Sequence, residues 1–406
     1  MKRYLWIFGL FLFFLRCTPN LITAARIALQ REEYKEAITH CRNHLKSDPK
    51  SVEAYLIMAK AQVFLAEYLE ASDAIDIAFS LDSVRTKKQI LAPEDRNSYW
   101  TIYNSAAYKL LSQEKFTEAL KKTDRAIYID DKRAEPYVIR GLVYARLKDR
   151  VKMQEAFNQA LKIDPNLAEA YLNIGHIFYD ETRWDSALTY YERAIDLYSK
   201  RKESNLKLLT GKAPTANPAD VEQKIVELQL ANKKDELENY VKTVLGFSGG
   251  VKEVGRQIET LVQANISMVT LYFNSAACAY NLGKTDKAGN YFESLIKIDP
   301  KHRDGLYYYG QILIARKEFK KASEIFTRII EIDPDDKDGL FSLGYAFLLL
   351  KDYDKAIETY EIKYMKLVPD NPDAWVNLGL AYKGKGNAKK AYECIVKAEE
   401  LKKRGK

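Results

Sequence analysis

Cysteine is scarce in this chain: 406 residues hold four, Cys17, Cys41, Cys278 and Cys394. The last three lie far apart, form no C-x-x-C pair and are odd in number, which argues against a disulfide framework or a zinc knuckle and for small buried hydrophobes. Glycine (18) and proline (11) are also few. With Ala, Leu, Lys, Glu and Tyr abundant, that shortage suits helices better than strands. No GxxxxGK[ST] or HExxH pattern occurs, and neither a GxSxG nor a GxGxxG lies between a strand and a helix. The phosphate-cradling loop, the zinc-protease helix and the nucleophile elbow are thereby excluded, and the chain is expected not to be an enzyme. His40 and His44 share one helical face beside Cys41, but two ligands do not close a tetrahedral shell, so neither a metal nor another cofactor is expected.

Charge of one sign is also nearly absent as a block. The formal net charge is +8, and Lys2, Arg3 and Arg16 supply part of it. Elsewhere basic residues alternate with acidic ones instead of clustering with aromatics, which points away from nucleic acid. A hydrophobic content of 47% against 30% charged residues is enough to build a buried core.

The one long apolar run is Tyr4 to Leu15, preceded by Lys2 and Arg3. It is too short for a membrane-spanning helix, which needs about 20 residues, and has the length of a secretory h-region. Cys17 directly after it resembles the lipobox of bacterial lipoproteins, although Arg16 stands where that pattern has a small residue. The resemblance implies a signal peptide over 1–16, acylation of Cys17, and a lipid anchor in a bacterial cell envelope, on its periplasmic or outer-membrane face.

What the chain has in quantity is itself. KIDPNLAEAYLNIG (Lys162 to Gly175) returns as KIDPKHRDGLYYYG (Lys297 to Gly310) and as EIDPDDKDGLFSLG (Glu331 to Gly344), with Pro300 and Pro334 34 residues apart. In each copy Asp-Pro ends one helix, and two amphipathic helices follow. The last copy carries Trp375, Leu378, Gly379, Tyr382, Ala391 and Ala398, and a middle copy Tyr171, Gly175, Phe178, Ala187, Tyr191 and Ala194. These residues resemble the tetratricopeptide repeat, a 34-residue helix-turn-helix unit.

The resemblance implies an all-α, right-handed solenoid of about nine copies, at 18–51, 52–85, 100–133, 134–167, 168–201, 269–302, 303–336, 337–371 and 372–405. It divides the chain into an N-terminal block over 17–201, interrupted by a short insertion at 86–99 whose stretch Leu91 to Trp100 reads as a loop entering a helix, a helical insertion or linker over 202–268, and a C-terminal block over 269–406. One hairpin cannot bury its own apolar face, so each copy serves as core for the next. Gly175, Gly310, Gly344 and Gly379 are expected where helices approach closely. Asp304, Asp338, Asp373, Glu53, Glu135 and Glu169 recur in the first turn of a helix, where they complement the macrodipole or would favour a cationic partner.

In this repeat family the concave groove is lined from the first helix of each unit. The residues so implied are Tyr108, Leu142, Arg146, Leu172, His176, Tyr179, Phe273, Tyr280, Asn281, Tyr307, Gln311, Phe341, Tyr345 and Lys383. Tyr280, Tyr307, Phe341 and Tyr345 are expected to form one strip. Aromatic rings with polar handles suit an extended peptide or a helix of a partner protein, not a small-molecule substrate. The lysine and asparagine clamp of chaperone-binding members is not reproduced, since Asn173, Asn274 and Asn377 have no paired lysines. The expected function is a non-enzymatic, lipid-anchored scaffold, similar to the repeat lipoproteins of envelope, pilus or secretion assembly. The alternatives are a surface-exposed binder of host or matrix ligands and a repeat adaptor that is not exported.

Overall fold

The structure, a computed structural model, describes residues 20–404; the expected signal segment and Cys17 lie outside them. Among the described residues every regular element is a helix. They fall into two compact units that divide between Leu167 and Ala168.

The N-terminal unit stacks four hairpins: Leu21–Gln30 with Tyr34–Ser47, Val52–Phe64 with Tyr68–Leu81, Pro93–Ser112 with Phe116–Ile129, and Glu135–Arg146 with Arg150–Ile163. Leu91 and Ala92 alone lie outside a helix in the insertion at 86–99. Helix Ser83–Ile90 fills it, and Pro93, which has no N–H to lose at a helix start, begins the following helix early. Ile90 and Tyr99 are fully buried and the Thr86 hydroxyl donates to the Ala78 carbonyl at 2.9 Å, so the segment thickens the core.

The C-terminal unit contains Ala168–Asp180 with Trp184–Thr210, Pro218–Leu230 with Lys234–Thr243, Val251–Asn281 with Thr285–Ile298, Arg303–Ala315 with Phe319–Ile332, and Pro372–Gly384 with Ala388–Arg404. Between the last two lies Lys337–Leu349, whose partner begins at Tyr353 and passes through a π-helical turn at Glu358–Tyr364. The left-handed turn residues explain the π turn. Gly283, Lys317 and Lys351 are 34 residues apart, but Gly386 follows Lys351 by 35. The surplus residue is absorbed inside the second helix as a wider turn, and the next hairpin starts in register.

Local chemistry repeats with the fold. The Asp of each Ile-Asp-Pro phrase accepts a hydrogen bond from the backbone two residues on: Asp164 from Asn166 at 2.8 Å, Asp299 from Lys301 at 3.1 Å and Asp333 from Asp335 at 3.0 Å. This turn, followed by an N-cap such as His302 or Asp336, redirects the chain from one hairpin to the next. Inside each hairpin a single residue at positive φ closes the first helix, and the following N–H returns to a carbonyl five residues back, as from Glu318 to Leu313 and from Arg183 to Phe178, both at 2.9 Å.

The same closure occurs at Asn232, with Lys233 N–H on the Leu228 carbonyl at 2.9 Å. Pro218–Thr243 is therefore one more hairpin of repeat geometry, inside the stretch read as an insertion. It sits between the far ends of two long helices, Trp184–Thr210 and Val251–Asn281, which run antiparallel: Tyr191 meets Asn274 and Tyr198 meets Ser267. The 168–201 and 269–302 repeats thus pack directly on each other through Ala187, Tyr191, Ala276 and Ala279. The segment between them forms a lobe with its own core of Leu209, Ile225, Leu228, Val241 and Leu261.

The repeated glycines face aromatic rings. A Cβ on Gly141 would lie 2.8 Å from Phe157, on Gly175 2.5 Å from Tyr191, on Gly310 2.5 Å from Phe326 and on Gly344 2.7 Å from Tyr360. Each ring belongs to the second helix of the same hairpin, so the missing side chain is the space the ring fills. Gly379 differs: its nearest neighbours would be the Ala391 carbonyl and Cys394 Cβ, both at 3.2 Å.

Candidate functional site

A cleft of about 550 Å³ opens in the C-terminal unit where three successive first helices lie side by side. Tyr179 comes from Ala168–Asp180; Phe273, Ala277, Tyr280 and Asn281 from the end of Val251–Asn281; Tyr307, Tyr308, Gln311, Ile312 and Ala315 from Arg303–Ala315. Spacings of three and four residues put these side chains on one face of each helix. Thr285 and Phe292 from the second helix complete the lining. Tyr179, Phe273, Tyr280, Asn281, Tyr307 and Gln311, all singled out from the sequence, are brought together here.

Stacked rings give the cleft its shape. Phe292 is buried and forms the floor, stacked on Tyr308 at 5.8 Å and edge-on to Phe273 at 5.9 Å. Tyr308 in turn meets Phe273 at 6.2 Å and Tyr307 at 5.5 Å. At the rim Tyr280 is 62% and Tyr308 48% exposed. The Arg303 guanidinium lies 5.1 Å over the Tyr307 ring and is itself gripped by Asp336 and Asp338, each at 2.8 Å, and by Asp304 at 3.1 Å. Hydrogen bonding to these carboxylates pushes the Arg303 pKa up, and the bond from Arg303 holds the Asp336 carboxyl below its usual range. The Gln311 amide donates to the Ser342 hydroxyl at 3.0 Å, tying the cleft wall to the next hairpin.

Neither Tyr308 nor Phe292 is among the residues that the resemblance implied for the groove. Phe292 carried a signal: where sister hairpins set Gly opposite an aromatic ring, this one has Ala276. With a methyl group there, Phe292 has less room beneath the first helix, and its ring is the one that floors the cleft.

Other candidates lie elsewhere. Behind Tyr179, His176 packs edge-on to Tyr191 at 5.6 Å, and its buried Nε2 has no hydrogen-bond partner; burial lowers its pKa against an opposing pull from Asp180. Leu172 is half-buried on the same helix and packs against the core. Phe341 turns inward onto Tyr360 at 5.8 Å and Tyr364 at 5.6 Å, so the strip of Tyr280 and Tyr307 does not run on through it, while Tyr345 and Lys383 are exposed beyond the cleft. In the N-terminal unit Tyr108 and Arg146 are exposed and Leu142 is half-buried. The first-turn carboxylates are largely engaged in ion pairs, Glu53 with Arg26, Glu169 with Arg201 at 2.6 Å and Asp373 with Lys402 at 3.7 Å. Two of the three recurrent asparagines donate to the tyrosine hydroxyl of the preceding hairpin, Asn274 to Tyr191 at 3.4 Å and Asn377 to Tyr360 at 3.0 Å.

Cys41, Cys278 and Cys394 are free thiols and all buried, and burial pushes the Cys41 pKa up to about 12. Among the described residues no group of three or more His, Cys, Asp or Glu is placed to hold a metal ion. No described helix is long and apolar enough to cross a membrane.

Family models described as tetratricopeptide repeat match residues 134–167, 170–204, 279–343, 338–362 and 372–404. The chain is similar to Superkiller complex protein 3 of Mus musculus, 25% identical over 219 residues, which is 44% of this chain and 14% of that protein. It is also similar to protein O-mannosyl-transferase TMTC1 of Homo sapiens, 33% identical over 112 residues, 24% of this chain and 12% of the relative. The chain thus spans only about a seventh or less of these relatives. Among solved structures it overlaps YrrB, a TPR protein with an unusual peptide-binding site, at TM-score 0.40 and 17% identity over 61% of this chain and 92% of that one. It overlaps Pseudomonas aeruginosa pilF at TM-score 0.39 and 14% identity, over 68% and 94%.

Proposed function

The chain is a tetratricopeptide-repeat protein, and from that premise we propose that it is a non-enzymatic scaffold whose C-terminal unit docks a segment of a partner protein in the Tyr280 to Tyr308 cleft. One observation carries the reading: rings from three successive first helices converge on one open, uncharged concavity, and aromatic residues with polar tips are the side chains most often found anchoring a protein partner. Tyr280 and Asn281 are exposed, so their removal leaves the helical core intact. Tyr280→Ala with Asn281→Ala is expected to abolish capture of bound proteins by the purified chain while its circular dichroism stays unchanged. Undiminished capture by that variant would move the site off the cleft.

We further propose that the scaffold is held to a bacterial envelope through a lipid on Cys17. The support is the sequence alone, Lys2 and Arg3, the apolar run Tyr4 to Leu15 and the Cys that follows it. Cys17→Ser is expected to shift the protein from the detergent phase to the aqueous phase and to remove incorporated fatty acid. If wild type and variant partition alike, the anchor is not at this residue. The export route and the partner system, whether envelope, pilus or secretion assembly, depend on this same experiment.

A further inference from the structure

We propose that the occupant of this cleft is an uncharged, proline-rich segment in the polyproline II conformation; the inference rests on the cleft being a peptide-docking site. The first argument is charge. The lining contains no Asp, Glu, Lys, Arg or His, and the two arginines flanking Tyr307 to Ala315 in sequence are already paired: Arg303 with Asp336 and Asp338, and Arg316 with Asp286 at 3.0 Å. An acidic motif or a phosphorylated residue entering here would shed water without meeting a cationic side chain in the lining.

The second argument is hydrogen bonding. A polyproline II segment makes no internal hydrogen bonds, lacks N–H groups at its prolines, and so presents carbonyl acceptors beside flat apolar rings. The wall supplies the complement. Phe273 and Phe292 offer ring surface, and Tyr280, Tyr308, Asn281 and Gln311 offer donors. Asn281 gives one N–H to the Ala277 carbonyl and Gln311 one to Ser342, both at 3.0 Å, and each amide keeps a second N–H. An amphipathic helix satisfies its own backbone and would leave these donors idle.

The third argument is entropy. With Tyr280 62% and Tyr308 48% exposed the cleft is shallow, and a shallow site favours a ligand that is already extended before it binds.

The test is fluorescence anisotropy with the full chain and a labelled, acetylated and amidated Pro-Pro-Ala repeat peptide, set beside a peptide with glycine in place of proline and an acidic peptide with a free C-terminus. The proline peptide is expected to bind saturably, about tenfold or more tighter than either control, and with affinity nearly independent of salt between about 50 and 500 mM. Tyr308→Ala and Asn281→Ala are each expected to weaken it about fivefold or more. Asn281 is exposed, so its variant reports even if Tyr308→Ala fails to fold. A random peptide library panned on the same protein separates the two levels of the claim. If it enriches acidic or helical sequences whose binding is lost in Tyr280→Ala, the docking site stands and the proline-rich occupant is overturned. If no enriched peptide depends on Tyr280, Asn281 or Tyr308, the docking site itself is overturned.

Discussion

Gly344 and Gly379 occupy the same place in their hairpins and meet different neighbours, which makes them a test of what a repeat glycine is for. A methyl at Gly344 would press on the Tyr360 ring at 2.7 Å, and that ring is held by its hydroxyl, which donates to the Phe341 carbonyl at 3.0 Å and accepts from Asn377. Gly344→Ala is therefore expected to cost about 1 to 3 kcal/mol, read as a lowered thermal midpoint. Gly379→Ala, with contacts no closer than 3.2 Å, should cost clearly less. Equal losses would mean that helix approach alone sets the requirement. The need for a small residue at these places was legible in the sequence; the ring that imposes it was not, because the two partners are some sixteen residues apart and only the hairpin brings them together.

His176 gives the residue scale a pH dependence. Its folded pKa lies below the ordinary imidazole value of about 6.5 because burial disfavours the imidazolium. As pH falls below that value the unfolded chain takes up the proton first, so stability that is whole above it declines and then levels off below the folded pKa. His176→Gln is expected to flatten this part of the midpoint-against-pH curve relative to wild type; an unchanged curve would place the titration elsewhere.

At the scale of the element, the left-handed turn closing each first helix is occupied mostly by residues that resist it. Lys317 and Lys351 hold φ of 60° and 63° where Gly283 and Gly386 stand in neighbouring hairpins. Lys317→Gly should relieve strain of roughly 1 kcal/mol, offset in part by the freer unfolded chain, and raise the midpoint slightly. A fall would show that the lysine side chain contributes more than its backbone costs. This turn is also the feature that survived where the repeat pattern faded. In Pro218–Thr243 the places of the small residues are filled by Ile225 and Leu237, both buried, so the composition rule that marks the other hairpins fails, and only Asn232 in its turn betrays the shared geometry. Pro93 in the insertion at 86–99 likewise signals a loop as readily as a helix start, and only the burial of Ile90 and Tyr99 shows how far the helices extend.

At the scale of the whole molecule, the cleft and every residue that shapes it lie within the unit that begins at Ala168. A fragment starting there is expected to fold and to retain binding of the peptide that the full chain selects, within about twofold by anisotropy. A fragment that is helical yet inert would assign part of the site to the first 167 residues. The register of the repeats, read with the groove positions that the family resemblance implies, sufficed to find Tyr280, Asn281, Tyr307 and Gln311. It did not find Tyr308 and Phe292, whose places in the cleft come from ring-on-ring packing between helices, which periodicity does not encode.

Val251–Asn281 contains no proline, and after Gly255 no glycine. It enters the lobe's core at Val254 and Ile258 and ends in the cleft wall at Phe273 to Asn281. At 1.5 Å per residue, Ile258 and Phe273 are about 22 Å apart along one unbroken rod. One continuous helix therefore gives the lobe's core and the aromatic wall a common backbone, with no glycine or proline joint between Ile258 and Phe273.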